Sequence, residues 1–136
     1  MDPIKLLVVD DQLIVRQGIK AMLDGTNIEV VAEAENCDMA VRQSIDNTVS
    51  LMLLDIRLPP GDGISVIGRA RIDKPQLPIL VFSNYDNPTF IARAVAMGAN
   101  GFLLKTCPRE ELIEAIERVA QGESIWTREE IGRAHV

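Results

Sequence analysis

Short, almost continuously apolar runs alternate with longer amphipathic segments along this chain. The runs occupy residues 4–9, 28–32, 51–54, 79–82 and 101–104. An unbroken apolar run of this length is typical of a β-strand that is buried on both faces of a sheet. The pattern therefore predicts five buried strands.

The intervening segments carry apolar residues at intervals of three or four, the period of a helix with one buried face. The positions that set this period are Val15, Ile19 and Met22; Val41, Ser44 and Ile45; Ile64 and Ile67; Ile91 and Val95; and Leu112, Ile116 and Val119. Because alternating strands and helices require crossover connections, the predicted fold class is α/β, a five-stranded parallel sheet with helices on both faces. We expect the flavodoxin-like strand order 2-1-3-4-5, counted along the chain.

Turn-forming residues separate the predicted elements. Gly25, Gly98 and Gly122 stand where helices are expected to end. Residues 59–63 (PPGDG) predict a stiff turn, and Pro108 suits the first turn of the last helix, where a missing N–H costs nothing.

Four of the five apolar runs end in a polar residue with a chemically useful side chain. These residues are Asp10 and Asp11 after the first run, Asp55 after the third, Ser83 after the fourth and Lys105 after the fifth. The carboxyl ends of parallel strands share one edge of the sheet, so these side chains are expected to be neighbours, with Asp55 central. Lys105 is two strands, about 10 Å, from Asp55 and needs its long side chain to reach it.

Asp10, Asp11 and Asp55 would repel one another at this edge, and a hard divalent cation relieves such repulsion. Mg²⁺ is predicted because it takes carboxylate, water and phosphate oxygens, and no His or Cys lies near this edge to form a zinc site. A carboxylate nucleophile beside Mg²⁺, an ammonium and a hydroxyl is suited to phosphoryl transfer to an aspartate. Our hypothesis is that Asp55 is phosphorylated.

The composition of the chain bears on its number of domains, its binding partners and its cellular location. The 136 residues are 47% hydrophobic and 25% charged, which predicts one packed domain. A net charge of −6 has the wrong sign for binding a nucleic-acid backbone or an anionic membrane surface. Two distant cysteines and the lack of a signal peptide or a bilayer-spanning run favour a reduced, cytoplasmic location.

The strand-end residues belong to motifs that closely resemble the receiver domain of bacterial two-component response regulators, a CheY-like fold. The motifs are LVVDD at residues 7–11, LLDIRLP at 53–59, DG at 62–63, VFS at 81–83 and GANGFLLK at 98–105. The resemblance covers residues 4 to about 121 and is specific because the motifs occur together. GFLLKT at 101–106, PREEL at 108–112 and VAQGE at 119–123 resemble the NarL/FixJ (LuxR-type) subgroup.

The resemblance implies that a sensor histidine kinase donates a phosphoryl group to Asp55. It implies that Asp10, Asp11 and Asp55 organise Mg²⁺ with the backbone carbonyl of Arg57, and that Lys105 binds the phosphoryl oxygens. The protein is then a switch rather than an enzyme with a separate substrate.

The resemblance also implies a conformational readout. Ser83 would move toward the phosphoryl group, and Phe102 would turn inward as the switch aromatic, although Phe102 is equally compatible with plain core packing. Thr106 departs from the proline that many receivers carry after the lysine.

The predicted organisation is a receiver domain at residues 1–121 and a linker or tail at residues 122–136. The subgroup resemblance implies a helix-turn-helix DNA-binding output domain, which this sequence ends too early to include, and transcription regulation. It also implies pairing into a homodimer.

Three other functions are considered. A stand-alone receiver would act through protein–protein contacts. A phosphatase with an aspartyl-phosphate intermediate is disfavoured because the acids Asp10 and Asp11 are adjacent rather than in a DxD arrangement and no cap insert is present. A nucleotide or flavin binder is disfavoured because no glycine-rich loop follows the first strand.

Overall fold

The computed structural model describes residues 2–126. The strands are β1 (Ile4–Val9), β2 (Ile28–Ala34), β3 (Leu51–Leu54), β4 (Arg57–Leu58), β5 (Gly61–Asp62), β6 (Ile79–Ser83) and β7 (Gly101–Leu104). The helices are α1 (Leu13–Leu23), α2 (Cys37–Ser44), α3 (Gly63–Asp73), α4 (Pro88–Ala96) and α5 (Arg109–Ala120). Most of the predicted tail, residues 127–136, lies outside the described residues.

The main sheet has the order β2-β1-β3-β6-β7, and every pair in it is parallel. Counted over the five predicted strands, this is 2-1-3-4-5, so the predicted fold class and order are confirmed. β2 continues to Ala34, two residues beyond its apolar run. It is an edge strand with exposed positions that polar residues occupy. A prediction based on continuous apolar runs therefore ends the strand too early.

The segment after Asp55 contains an element that the sequence pattern does not predict. β4 and β5 pair antiparallel as a two-residue ribbon, with Arg57 opposite Asp62 and Leu58 opposite Gly61. Only a stiff turn was expected over residues 59–63. Strands of two residues are too short to carry a hydrophobic period.

The core lies on both sides of the sheet because successive residues of a strand point to opposite faces. Leu6 and Val8 of β1 belong to the apolar cluster that includes residues of α1 and α5. Leu7 and Val9 belong to the cluster that includes residues of α2, α3 and α4. All four side chains are almost completely buried. The helices therefore cover both faces, as predicted.

Helix ends follow the turn residues in most cases. Gly25, Gly98 and Gly122 have φ values of 79°, 97° and 96°, a region that favours glycine. Pro108 stands just before α5 rather than in its first turn. The assignment of Ile45 to the buried face of α2 is wrong: the helix ends at Ser44, and Ile45 is 46% exposed.

Within residues 2–126, none of the helices has the length and apolar character needed to cross a bilayer.

Candidate functional site at the carboxyl edge of the sheet

Three polar side chains at or just after strand ends make the same local turn, in which the side chain accepts a hydrogen bond from the backbone N–H two residues on. These hydrogen bonds join Asp10 Oδ1 to Gln12 N at 2.9 Å, Asp55 Oδ1 to Arg57 N at 3.1 Å, and Ser83 Oγ to Tyr85 N at 3.1 Å. Such turns bend the chain out of the sheet. They also leave the Oδ2 atoms of both aspartates available for other partners.

Lys105 joins the two buried aspartates. Its Nζ donates to Asp10 Oδ2 at 2.5 Å and to Asp55 Oδ2 at 2.8 Å. The side chains of Lys105, Asp10 and Asp55 are only 17%, 3% and 8% exposed. Lys105 therefore reaches across two strands, as the strand order predicts.

The electrostatics of this group follow from burial and pairing. Burial raises the pKa of the Asp10 carboxyl above its ordinary value, against the opposing hydrogen bonds from Lys105 and Gln12. Burial of the Lys105 ammonium acts to lower its pKa, but the hydrogen bonds to Asp10 and Asp55 outweigh it, and the pKa of Lys105 is raised. The ammonium is thus held in its charged form.

Asp11 completes a cluster of three acids. Asp11 is exposed, and it offers a carboxylate oxygen within 4.8 Å of oxygens of Asp10 and Asp55. One ammonium faces three carboxylates, so the cluster keeps net negative charge. Oxygen-only donors with excess negative charge are the ligands that a hard cation such as Mg²⁺ prefers, and the residues present fit that ion.

An open cavity of about 350 Å³ gives access to this cluster. It is lined by Asp11, Gln12, Asp55, Arg57, Pro59, Ser83, Asn84, Tyr85 and Lys105. The predicted residues Asp11, Asp55, Ser83 and Lys105 therefore share one cavity. Arg57 also lines it, while ligation by its backbone carbonyl stays a prediction.

Two of the residues that line the cavity, Arg57 and Tyr85, also contact each other. The Arg57 guanidinium carbon lies 4.9 Å from the centre of the Tyr85 ring, within range of a cation–π contact. The Tyr85 ring meets Phe90 edge to face at 5.0 Å. Sequence reasoning missed Tyr85 because it lies in a loop, outside any periodic pattern.

Two further residues position the acids and were also missed. Arg16 Nη1 donates to the backbone carbonyl of Asp10 at 2.7 Å. Gly63 opens α3 directly against the phosphoacceptor candidate: a Cβ on Gly63 would lie 2.3 Å from the carbonyl oxygen of Asp55. Gly63 appeared in the sequence only as part of a motif, since its close approach to Asp55 depends on the fold.

The predicted switch residues lie on neighbouring strands. Ser83 ends β6 and is 1% exposed. Phe102 pairs with Val81 in the β6–β7 register, is half-buried and packs against the cluster that includes residues of α3 and α4. Their roles as switch residues stay predictions.

The sequence pattern of the response regulator receiver domain family matches residues 6–117. The chain therefore belongs to this family, which confirms the resemblance drawn from its motifs. Within the family its similarity is to NarL/LuxR-type regulators of two-component systems, as the following relatives indicate.

The chain is 31% identical over 120 residues to Transcriptional regulatory protein YdfI of Bacillus subtilis, which covers 87% of this chain and 55% of that protein. It is 31% identical over 123 residues to Oxygen regulatory protein NreC of Staphylococcus epidermidis, covering 88% of this chain and 56% of that protein. The chain thus spans about half the length of these curated relatives.

Solved structures of response regulators are also similar to this chain. A LuxR family two-component response regulator from Aurantimonas sp. SI85-9A1 superposes with a TM-score of 0.87 at 27% identity, covering 98% of this chain and 96% of that one. The signal receiver domain of NarL from Mycobacterium tuberculosis superposes with a TM-score of 0.82 at 30% identity, covering 90% and 100%.

Proposed function

We propose that this receiver domain is a phosphorylation-dependent switch that receives a phosphoryl group on Asp55 from a sensor histidine kinase. The observation that carries the proposal is the position of the Asp55 carboxylate. It lines an open cavity, yet the Asp55 side chain is only 8% exposed and is hydrogen-bonded to Lys105. One carboxylate with one fixed cation at its side is suited to accept a phosphoryl group.

In the proposed transfer, the bond between phosphorus and the kinase imidazole nitrogen breaks and a bond to a carboxylate oxygen of Asp55 forms. Lys105 turns its ammonium to the phosphoryl oxygens and offsets their charge. Ser83 donates its hydroxyl to the phosphoryl group, and Phe102 turns inward. The domain acts on no separate substrate, so we propose a signalling module rather than an enzyme.

Asp10, Asp11 and Asp55, together with the backbone carbonyl of Arg57, would hold Mg²⁺ in this proposal. When bound, the ion supplies positive charge against the phosphoryl oxygens. The role of Asp10 and Asp11 is to supply carboxylate oxygens beside Asp55. With Lys105 alone, the cluster keeps excess negative charge that would oppose an incoming anion.

We further propose that phosphorylation controls a DNA-binding output domain, in a homodimer and in the cytoplasm. The name of the relative YdfI, a transcriptional regulatory protein nearly twice as long as the matched stretch, supports this. Reading the natural gene beyond the codon for Val136 tests it: a basic helix-turn-helix segment is expected. A stop codon there would favour a stand-alone receiver.

The switch itself is tested with a small-molecule phosphodonor. Acetyl phosphate with Mg²⁺ should add one phosphoryl mass to the wild-type chain and none to Asp55→Asn. Asp38→Asn is a matched control, because Asp38 is 79% exposed and pairs with Arg69 away from the cavity. A wild-type chain that gains no mass would refute the proposal, and so would equal gain in Asp55→Asn.

A further inference from the structure

The chain turns back toward the sheet as it leaves α5. The Glu123 N–H donates to the Arg118 carbonyl at 3.2 Å, and the Gly122 N–H donates to the Val119 carbonyl at 3.0 Å. With Gly122 at positive φ, this is a Schellman cap. It directs residues 123–126, which we name the exit strap, toward β7.

The exit strap is bound to the residues at the start of β7. The Ile125 N–H donates to the carbonyl of Asn100 at 2.8 Å, and the Trp126 indole Nε1–H donates to the carbonyl of Ala99 at 3.0 Å. The Ile125 side chain covers Gly101, where an added Cβ would lie 2.2 Å from Ile125 Cγ1. The absence of a side chain at Gly101 thus leaves the space that the docked Ile125 occupies.

The segment before β7 that binds the strap also accepts hydrogen bonds from elsewhere in the domain. The Arg71 guanidinium donates to the Gly98 carbonyl at 2.7 Å and to Asn100 Oδ1 at 3.3 Å. The same Asn100 Oδ1 accepts the N–H of Ile79 at 2.9 Å. The segment that carries the two carbonyls bound by the strap is therefore also held by hydrogen bonds from Arg71 and Ile79.

The strap contacts the start of β7, the strand that Lys105 follows. Within the described residues β7 pairs with β6 alone, so its other side is open to the strap. Ile125 packs with the apolar cluster on one face of the sheet, and Trp126 packs with the cluster on the other face, which also holds Phe102. The strap thus holds the start of β7, while Lys105 follows its end.

We propose that the exit strap is a latch: it docks on β7 when Asp55 is unoccupied and is released when Asp55 is phosphorylated. The inference rests on the proposed function. The docked strap is seen together with Lys105 bound to both Asp10 and Asp55. Occupation of Asp55 draws Lys105 to the phosphoryl group and turns Phe102. Phe102 directly follows Gly101, which Ile125 of the strap covers, and Lys105 directly follows the end of the same strand. By reciprocity, a loosened strap must then favour occupation of Asp55.

Trp126 is the only tryptophan in the chain, so its fluorescence reports on the strap alone. In the 136-residue chain with Mg²⁺, beryllofluoride, a mimic of the phosphoryl group, should make Trp126 more accessible to acrylamide quenching. Asp55→Asn should show no such change. Binding of beryllofluoride is followed separately by ¹⁹F NMR, which does not depend on Trp126.

Ile125→Ala should loosen the strap and tighten beryllofluoride binding by about fivefold or more. Ser124→Ala is the matched control, because Ser124 is exposed in the same segment and should leave affinity and quenching unchanged. If beryllofluoride binds but Trp126 quenching stays constant or falls, the latch is refuted and the proposed function stands. The same holds if Ile125→Ala leaves binding unchanged or weaker. If beryllofluoride does not bind the wild-type chain, both proposals fail.

Discussion

At the scale of single residues, Lys105 determines the charge balance of the site. Its ammonium is hydrogen-bonded to Asp10 and Asp55, and all three side chains are mostly buried. Removing one partner of a buried ion pair leaves the other charge without compensation, which costs far more than removing a surface pair. The ion pairs of Lys105 with Asp10 and Asp55 therefore stabilise the unphosphorylated domain, and the proposed phosphoryl transfer uses the same side chains.

We expect Lys105→Met to lower the free energy of unfolding by about 3 kcal/mol without divalent cation. Mg²⁺ should then stabilise the variant more than the wild type, because three carboxylates are left facing no ammonium. Urea unfolding with and without Mg²⁺ measures both effects. Lys74→Met is the control, since the Lys74 ammonium donates a hydrogen bond to Asn47 Oδ1 at the surface, away from the cavity. Equal Mg²⁺ responses in Lys105→Met and wild type would contradict this account of the site.

The sequence predicted the site residues that directly follow or end strands, because parallel strands bring their ends to one edge. It did not indicate Tyr85, whose contact with Arg57 depends on how the loop after β6 is placed against β4. Nor did it indicate Arg16, whose contact with the Asp10 carbonyl depends on how α1 packs beside β2. Such contacts, made by a loop residue and by a long side chain, do not produce a periodic pattern in the sequence.

At the scale of elements, the start of α3 is set by contact with the site. Gly63 lies where any Cβ would overlap the backbone of Asp55 and Ile56. Helix α1 also contains a glycine, Gly18, but nothing lies within 4 Å of where its Cβ would be. The two glycines therefore predict opposite responses to the same substitution.

Gly63→Ala should lower the free energy of unfolding by about 1–3 kcal/mol, because α3 must shift away from Asp55. It should also slow phosphorylation by acetyl phosphate. Gly18→Ala should raise the free energy of unfolding by about 0.5–1 kcal/mol, since alanine favours a helix interior. Urea unfolding of both variants gives the comparison. A Gly63→Ala variant as stable as Gly18→Ala would rule out the close approach.

The contact between α1 and β2 depends on pH through Glu33. Hydrogen bonds from Lys20 and then Arg16 lower the pKa of Glu33 below its ordinary 4.5, against the opposing effect of burial. A lowered pKa stabilises the fold above the unfolded-state value, and this stabilisation is lost as pH falls through the folded-state value. The contribution is thus complete at neutral pH and disappears in acid.

Glu33→Gln should cost about 0.5–1 kcal/mol at neutral pH, the size expected of a partly exposed ion pair. The difference from wild type should shrink as pH falls below 4.5, the ordinary value for this carboxyl. Urea unfolding across pH measures it. Glu29→Gln, an exposed position on the same strand, should show no comparable difference. A wild-type advantage that grows in acid would contradict the assigned direction.

At the scale of the whole molecule, alternating strands and helices determine the topology. The five strands were predictable, because buried parallel strands read as continuous apolar segments. Their order was expected from the flavodoxin-like arrangement and not from the runs themselves. The β4–β5 ribbon and the docking of Ile125 and Trp126 were not, since short pairings and strap contacts depend on tertiary placement. The family match over residues 6–117 begins within β1, covers the other strands and ends within α5.

The most direct test of the central proposal locates the modified residue in the wild-type chain. An aspartyl phosphate is reduced by borohydride to homoserine, which peptide mass mapping detects. After treatment with acetyl phosphate and Mg²⁺, homoserine is predicted at position 55 and absent when Mg²⁺ is chelated. Homoserine at position 10 or 11 instead, or none in a chain that has gained phosphoryl mass, would contradict the assignment of Asp55 as the phosphoacceptor.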